Sequence, residues 1–185
     1  GQFDRQGVSL FLVDADSQGI SVESYKTMDG QSASTIRFKD VQVSASQLLG
    51  AVDQGMDIVD QVMPQILMAL SAEALGIMEK LNTTTVEYAK TRQQFGVAIG
   101  SFQALQHRMV DTFMAYEQTK SMLYRTVCSL EAKADDASRN LHALKVLVAR
   151  YGKQVGDEAI QIHGGMGLTD ELDIGHYVKR LMTIN

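Results

Sequence analysis

At about Val52 the hydrophobic pattern of this chain changes period, from two to 3.6, and the longer period runs through almost all that remains. Ile58, Val62, Ile66, Leu70, Ala74 and Ile77 fall on one helical stripe that runs on towards Tyr88. Leu105, Met109, Phe113, Tyr116, Leu123, Val127 and Leu130 predict a second helix from about Phe102 to Ala132. After a break at Ala134-Asp135-Asp136, Leu144, Val148, Tyr151, Val155, Ala159 and Ile162 predict a third. Gly164-Gly165-Met166-Gly167 ends it, and Thr169-Asp170-Glu171 reads as the capped start of a fourth. The single proline, Pro64, is expected to kink the first helix or mark its first turn. Long stripes with short links predict a mainly α fold, a four-helix up-and-down bundle.

Before the change, residues 7–50 read as β-structure. Val8, Leu10 and Leu12 interleave with Ser9, Phe11 and Val13, as in a strand covered on both faces. A turn at 14–19 leads into the alternation of Ile20 to Tyr25. Asp29-Gly30 marks a second turn before Ser34 to Phe38, with Val41 and Val43 as a short extension. Three or so strands are too few to close a sheet, so we expect the remnant of a β-barrel-like domain. The chain opens on Gly1 and stops at Asn185 straight after Leu181-Met182 and Ile184. We therefore expect a piece of a larger protein, with residues 1–50 ending one domain and 51–185 forming a second, truncated one.

Composition excludes several classes. A net charge of −5 argues against a nucleic-acid binder or a basic membrane-surface protein. One cysteine, Cys128, rules out a disulfide framework and a four-cysteine zinc site. His107, His142, His163 and His176 lack the i, i+4 spacing of a helical metal pair, and no HExxH occurs, so no metal site is expected. No uninterrupted apolar run suffices to span a bilayer and no signal-peptide core opens the chain, so the expectation is a soluble, cytoplasmic protein without a membrane span.

Two segments invite chemistry. Thr91-Arg92-Gln93-Gln94-Phe95-Gly96 through Gly100-Ser101-Phe102-Gln103 places an arginine at a helix end, two glycines and then a fresh helix N-terminus. An arginine fork and a helix N-terminus both suit phosphate oxygens; the same arrangement also serves as a plain connection with Arg92 as a dipole partner. Gln161-Ile162-His163-Gly164-Gly165-Met166-Gly167 leaves bare backbone that a ligand can approach, but an ordinary C-cap turn has the same look. It follows a helix and not a strand, which counts against a dinucleotide fingerprint. His163 and His176 read as structural or surface histidines. Asp170, Glu171 and Asp173 could supply a base, but in a helix's first turn they read as dipole partners.

Jointly these segments resemble the acyl-CoA dehydrogenase family. Tyr88 to Gly96 and Gln103 to Arg108 are similar to its central signature. Gln161 to Gly167, followed by Thr169, Glu171 and Tyr177, is similar to its second. Phe38 to Val43 and Leu48-Leu49-Gly50 match the junction of its middle β-domain with its C-terminal helical domain. The resemblance covers essentially the whole chain and implies FAD-dependent α,β-dehydrogenation of an acyl-CoA, with electrons passed to a separate electron-transfer acceptor. A related acyl-CoA oxidase is the second enzyme reading. The resemblance also implies dimers or tetramers, with FAD at a subunit interface and its adenosine diphosphate half reaching into this domain of the neighbour. Arg92 would then contact the pyrophosphate, with Gln94 and Phe95 beside it and Gln103 nearby. Gln161, Gly164 and Gly165 would line the adenosine side.

Two positions depart from the family. Leu67, nine residues before Gly76, stands where many members carry an arginine, and Ile66 stands where a minority carry the catalytic glutamate. No catalytic base is assignable within the chain; in most members it follows the second signature, beyond Asn185. Leu67 with Gly175-His176-Tyr177-Val178-Lys179-Arg180-Leu181 resembles a divergent bacterial branch, some of whose members form heteromeric enzymes. That leaves a partner subunit without a base as the non-enzyme reading. Since the strands that would hold the flavin ring precede Gly1, these 185 residues expressed alone should not retain FAD. A stoichiometric yellow complex after gel filtration would refute this.

Overall fold

The computed structural model describes residues 5–185; the first four residues of the expected 1–50 domain lie outside the described residues. In the N-terminal part, β1 (Leu10–Phe11) pairs antiparallel with β4 (Leu48–Leu49). β2 (Ile20–Lys26) and β3 (Ser32–Phe38) form a hairpin in register from Ile20↔Phe38 to Lys26↔Ser32. The turns around Asp14–Gly19 and Asp29-Gly30 fall where the sequence puts them. The first strand is shorter than expected, and Val41 and Val43 lie outside any strand. Leu12, expected inside a doubly covered strand, is 77% exposed. The chain divides into two compact units, one ending at Ile66 and one running from Leu67 to Asn185.

α1 (Gly55–Thr91) begins in the first unit and ends in the second. Pro64 lies inside it and not in its first turn. The second unit is completed by α2 (Gln103–Glu131), α3 (Ala137–His163) and α4 (Ile174–Ile184), giving the four-helix bundle. Its core joins Met78 and Leu81 of α1, Tyr116 and Leu123 of α2, Leu144, Val148 and Val155 of α3, and Val178 and Leu181 of α4. Gly152 and Gly156 give α3 a shallow face, so that Leu181 and Val178 of α4 come within 3.6 and 3.4 Å of where a β-carbon would stand. Arg180 of α4 grips Glu73 of α1 through Nε at 2.6 Å and Nη2 at 2.9 Å.

The stripes are shifted from those expected at three places. On α1 the buried line starts at Ser71 and Ala74, while Val62 and Ile66 are 45% and 44% exposed. On α2 Phe113 is exposed, and Thr112, Thr119, Thr126 and Ser129 are buried instead. Their hydroxyls donate to carbonyls of their own helix, Thr119 to Ala115 and Thr126 to Met122, both at 2.8 Å. α4 begins at Ile174, not at Thr169, whose hydroxyl donates instead to the Met166 carbonyl at 3.0 Å. Asp170 and Glu171 therefore lie before the helix; Asp170 instead pairs with Lys179 at 3.8 Å. By length and composition α1 contains one window apolar enough to cross a bilayer, though it is no uninterrupted apolar run. Its apolar residues from Ala74 to Leu81 are spent on the bundle core.

Leu144→Ala should cost about 2–5 kcal/mol of stability, as expected for a fully buried leucine whose cavity cannot collapse. Phe113→Ala, at a position the stripe alone would call core, should stay within about 0.5 kcal/mol. Urea unfolding of both variants checks the shifted face of α2.

Candidate functional site

The end of α1 is turned back on itself. After Thr91 the backbone forms a two-residue hairpin, β5 (Gln93–Gln94) with β6 (Val97–Ala98), then a short 3₁₀ turn at Ile99–Ser101 that feeds α2. The Ile99 amide donates to the Arg92 carbonyl at 2.8 Å and closes the loop. Gly100 permits this closeness, since a β-carbon there would stand 2.9 Å from the Ala89 carbonyl oxygen. Phe95, at the hairpin tip, takes a positive φ of 56° and exposes 91% of its surface, its ring edge-on to Phe102 with centroids 6.1 Å apart.

The end of α3 lies beside it. His163 is buried, and its ring stacks on Tyr88 with centroids 4.3 Å apart and planes 27° apart. Its Nδ1 lies 2.8 Å from the Ala159 carbonyl; a carbonyl only accepts, so Nδ1 carries the proton. The structural reading of His163 therefore fits, and His176 is exposed. Ala89, Ile99 and Ile162 pack together under this end of the bundle.

Between the two helix ends opens a cleft of about 560 Å³. Six of the seven residues singled out from the sequence line it: Arg92, Gln94, Phe95, Gln161, Gly164 and Gly165. Gln103, the first residue of α2, does not. Sequence reasoning gave no place at the ligand to three others on its walls, Tyr88, His163 and Arg108. All three stood inside the motifs, but that Arg108 faces the cleft becomes visible only once α2 is docked on α3. Among the described residues the Arg92 side chain has no hydrogen-bond or ion-pair partner in the chain, and no carboxylate lines the cleft. In a chain of net charge −5, this surface is locally positive. No group of three or more potential metal ligands occurs among the described residues.

The glycines after His163 have different tasks. Gly164 has φ 60° and ψ −138°, a backbone conformation that only glycine adopts without strain. Gly165 has an ordinary φ and nothing of this chain within 4 Å of where a β-carbon would stand, so its bare face is turned to the cleft. Gly167 is needed for packing, because a β-carbon would meet the Ile160 carbonyl oxygen at 3.0 Å and the His163 β-carbon at 3.1 Å.

Residues 53–184 match the family described as acyl-CoA dehydrogenase, C-terminal domain. The L-prolyl-[peptidyl-carrier protein] dehydrogenase of Serratia sp. (strain ATCC 39006) is 35% identical, over 95% of this chain and 46% of its own length. The short-chain specific acyl-CoA dehydrogenase of Megasphaera elsdenii is 26% identical, over 95% and 46%. Among solved structures, one described as PigA with FAD and proline superposes with a TM-score of 0.90 at 32% identity, covering 99% of this chain and 48% of that one. The chain thus spans about half the length of the curated relatives it matches.

Three substitutions should separate the glycines by thermal denaturation. Gly167→Ala should cost about 1–3 kcal/mol through overpacking. Gly164→Ala should cost a similar amount, about 1–3 kcal/mol, through backbone strain. Gly165→Ala should leave stability within about 0.5 kcal/mol.

Proposed function

The chain belongs to the acyl-CoA dehydrogenase family, and on that premise we propose that the whole protein oxidises an acyl-CoA thioester across its α and β carbons with FAD. The observation that carries this reading is the cleft, where two segments nearly seventy residues apart in sequence bring six expected cofactor residues to one surface. Those residues suit the adenosine diphosphate half of FAD. Arg92 offers an unengaged planar fork for phosphate oxygens, and the open face of Gly165 allows backbone to approach a ligand closely. Gln161 and Gln94 offer amides for the nucleoside and phosphate oxygens, and Phe95 covers the cleft with an apolar ring. Gln103, at the head of α2 and outside the cleft lining, would reach this half only from its rim. When bound, FAD supplies the hydride acceptor.

In this proposal residues 1–50 end the middle β-domain and 51–185 belong to the helical domain. The cleft serves a flavin whose ring lies in a neighbouring subunit, so the working unit is a dimer or tetramer. The cytoplasm is its place, and a separate electron-transfer protein is its acceptor. A second reading, a partner subunit without a catalytic base, is favoured by one observation: both α1 positions where the chemistry would be assisted are apolar, Ile66 and Leu67. An acidic residue among the dozen or so encoded after Asn185 supports the enzyme; its absence supports the partner subunit.

Arg92→Ala in the full-length protein should weaken FAD binding by roughly ten- to a hundredfold, the worth of a charge-assisted contact. Arg92→Lys should recover only part, because a point charge replaces a fork. Both effects should shrink as salt is added. Flavin titration of apo-protein at two salt concentrations, with turnover normalised to bound flavin, checks this. Normal binding by Arg92→Ala with lost normalised turnover would move Arg92 to the substrate side and overturn the assignment.

A further inference from the structure

The cleft holds a second arginine. Arg108 of α2 lines the same walls as Arg92, three residues on from Leu105. Its Nε donates to Oε2 of Glu158 on α3 at 2.5 Å, with the two side chains 39% and 26% exposed. Glu158 stands outside the cleft lining. A guanidinium carries five N–H donors in a fixed fork, and only the Nε donor is spent here. Nothing among the described residues accepts from Nη1 or Nη2.

A partly exposed ion pair adds little to stability, while fixing a long arginine costs rotamer freedom. What the Glu158 contact achieves is orientation. It holds Arg108 by the inner edge of its guanidinium and leaves the outer edge, the two terminal nitrogens, already ordered for a planar oxyanion. Arg92 and Arg108 are the two formally charged side chains of the lining, and both are positive.

We propose that Arg108 is a second anion-binding residue of this cleft, with Glu158 as its positioning residue, and that two arginines select a diphosphate over a monophosphate. This rests on reading the cleft as the site of an adenosine diphosphate moiety. Each arginine takes one phosphoryl group, so the second phosphoryl is recognised only when both are present. Selection then follows as a difference of two affinities.

Calorimetric titration of the full-length apo-protein with ADP and with AMP, at low and high salt, tests this. Wild type should prefer ADP. R108M should lose roughly ten- to a hundredfold in ADP affinity, but much less for AMP, with a weaker salt dependence. The swapped variant R108E/E158R restores the ion pair but puts a carboxylate on the cleft wall, so it should keep near wild-type thermal stability without regaining ADP affinity. The swap also serves if R108M fails to fold. A wild-type ADP-to-AMP ratio in R108M, or recovered ADP affinity in the swap, would make the pair merely structural and overturn the proposal. R92A is the control for the underlying reading: if it too binds ADP as wild type does, the cleft is no phosphate site and both readings fall. Displacement of bound ADP by FAD and not by coenzyme A, which carries the same diphosphate chemistry, assigns the moiety to the flavin. Displacement by coenzyme A alone would overturn the flavin reading and leave the role of Arg108 standing.

Discussion

The cleft depends on one contact, the stacking of Tyr88 on His163, which registers the C-terminal end of α1 against that of α3. Arg92 lies one helical turn beyond Tyr88, and Gly164 and Gly165 follow His163 directly. Fixing the two rings therefore fixes the two cleft-lining segments. A stacked aromatic pair contributes about 0.5–1.5 kcal/mol beyond its burial. The larger constraint is that a buried imidazole must keep its N–H satisfied, and the Ala159 carbonyl does so within α3 itself. The ring is thus held from its own helix and offers its face to the neighbour.

The bundle beneath is unusual in carrying hydroxyls on a packing seam. Thr112, Thr119 and Thr126 recur every seventh residue of α2, which keeps them on one face. Each hydroxyl finds a carbonyl of its own helix, so it is satisfied without needing a partner on the neighbouring helix. Where α2 turns into α3, Asn140 donates to Ser129 at 3.2 Å and its carbonyl accepts from Thr126 at 3.3 Å, so the buried polar groups pair with one another. The same docking of α2 on α3 brings Glu158 to Arg108 and with it the second cation to the cleft.

Specific residues show which features could be read in advance. The stripe of α3 was legible because Leu144, Val148, Val155 and Ala159 are apolar and meet the core. The stripe of α2 misled at Phe113, because a pattern that counts threonine as polar cannot see hydroxyls that bond backward. The N-terminal half of the α1 stripe misled differently: Val62 and Ile66 are apolar and in register but exposed. Periodicity reports that a face is apolar, not what covers it. At the glycine run, composition suggested three equivalent bare positions. Geometry divides them into one forced by backbone conformation, one open to the cleft and one filled by packing.

Local chemistry, then, was settled by the sequence alone: the change of period near Val52, the helix ends at Arg92 and Gly164, and the residue types able to meet a phosphate. These follow from short-range rules, since helix periodicity, capping and glycine conformation each depend on a few neighbouring residues. Tertiary structure alone decided that the two motifs share one surface, that Gln103 stands outside its lining, and that Arg108 faces inward with Glu158 behind it. Those facts depend on how helices distant in sequence are rotated and shifted against each other. That is set by the summed packing of their side chains, which no local pattern encodes.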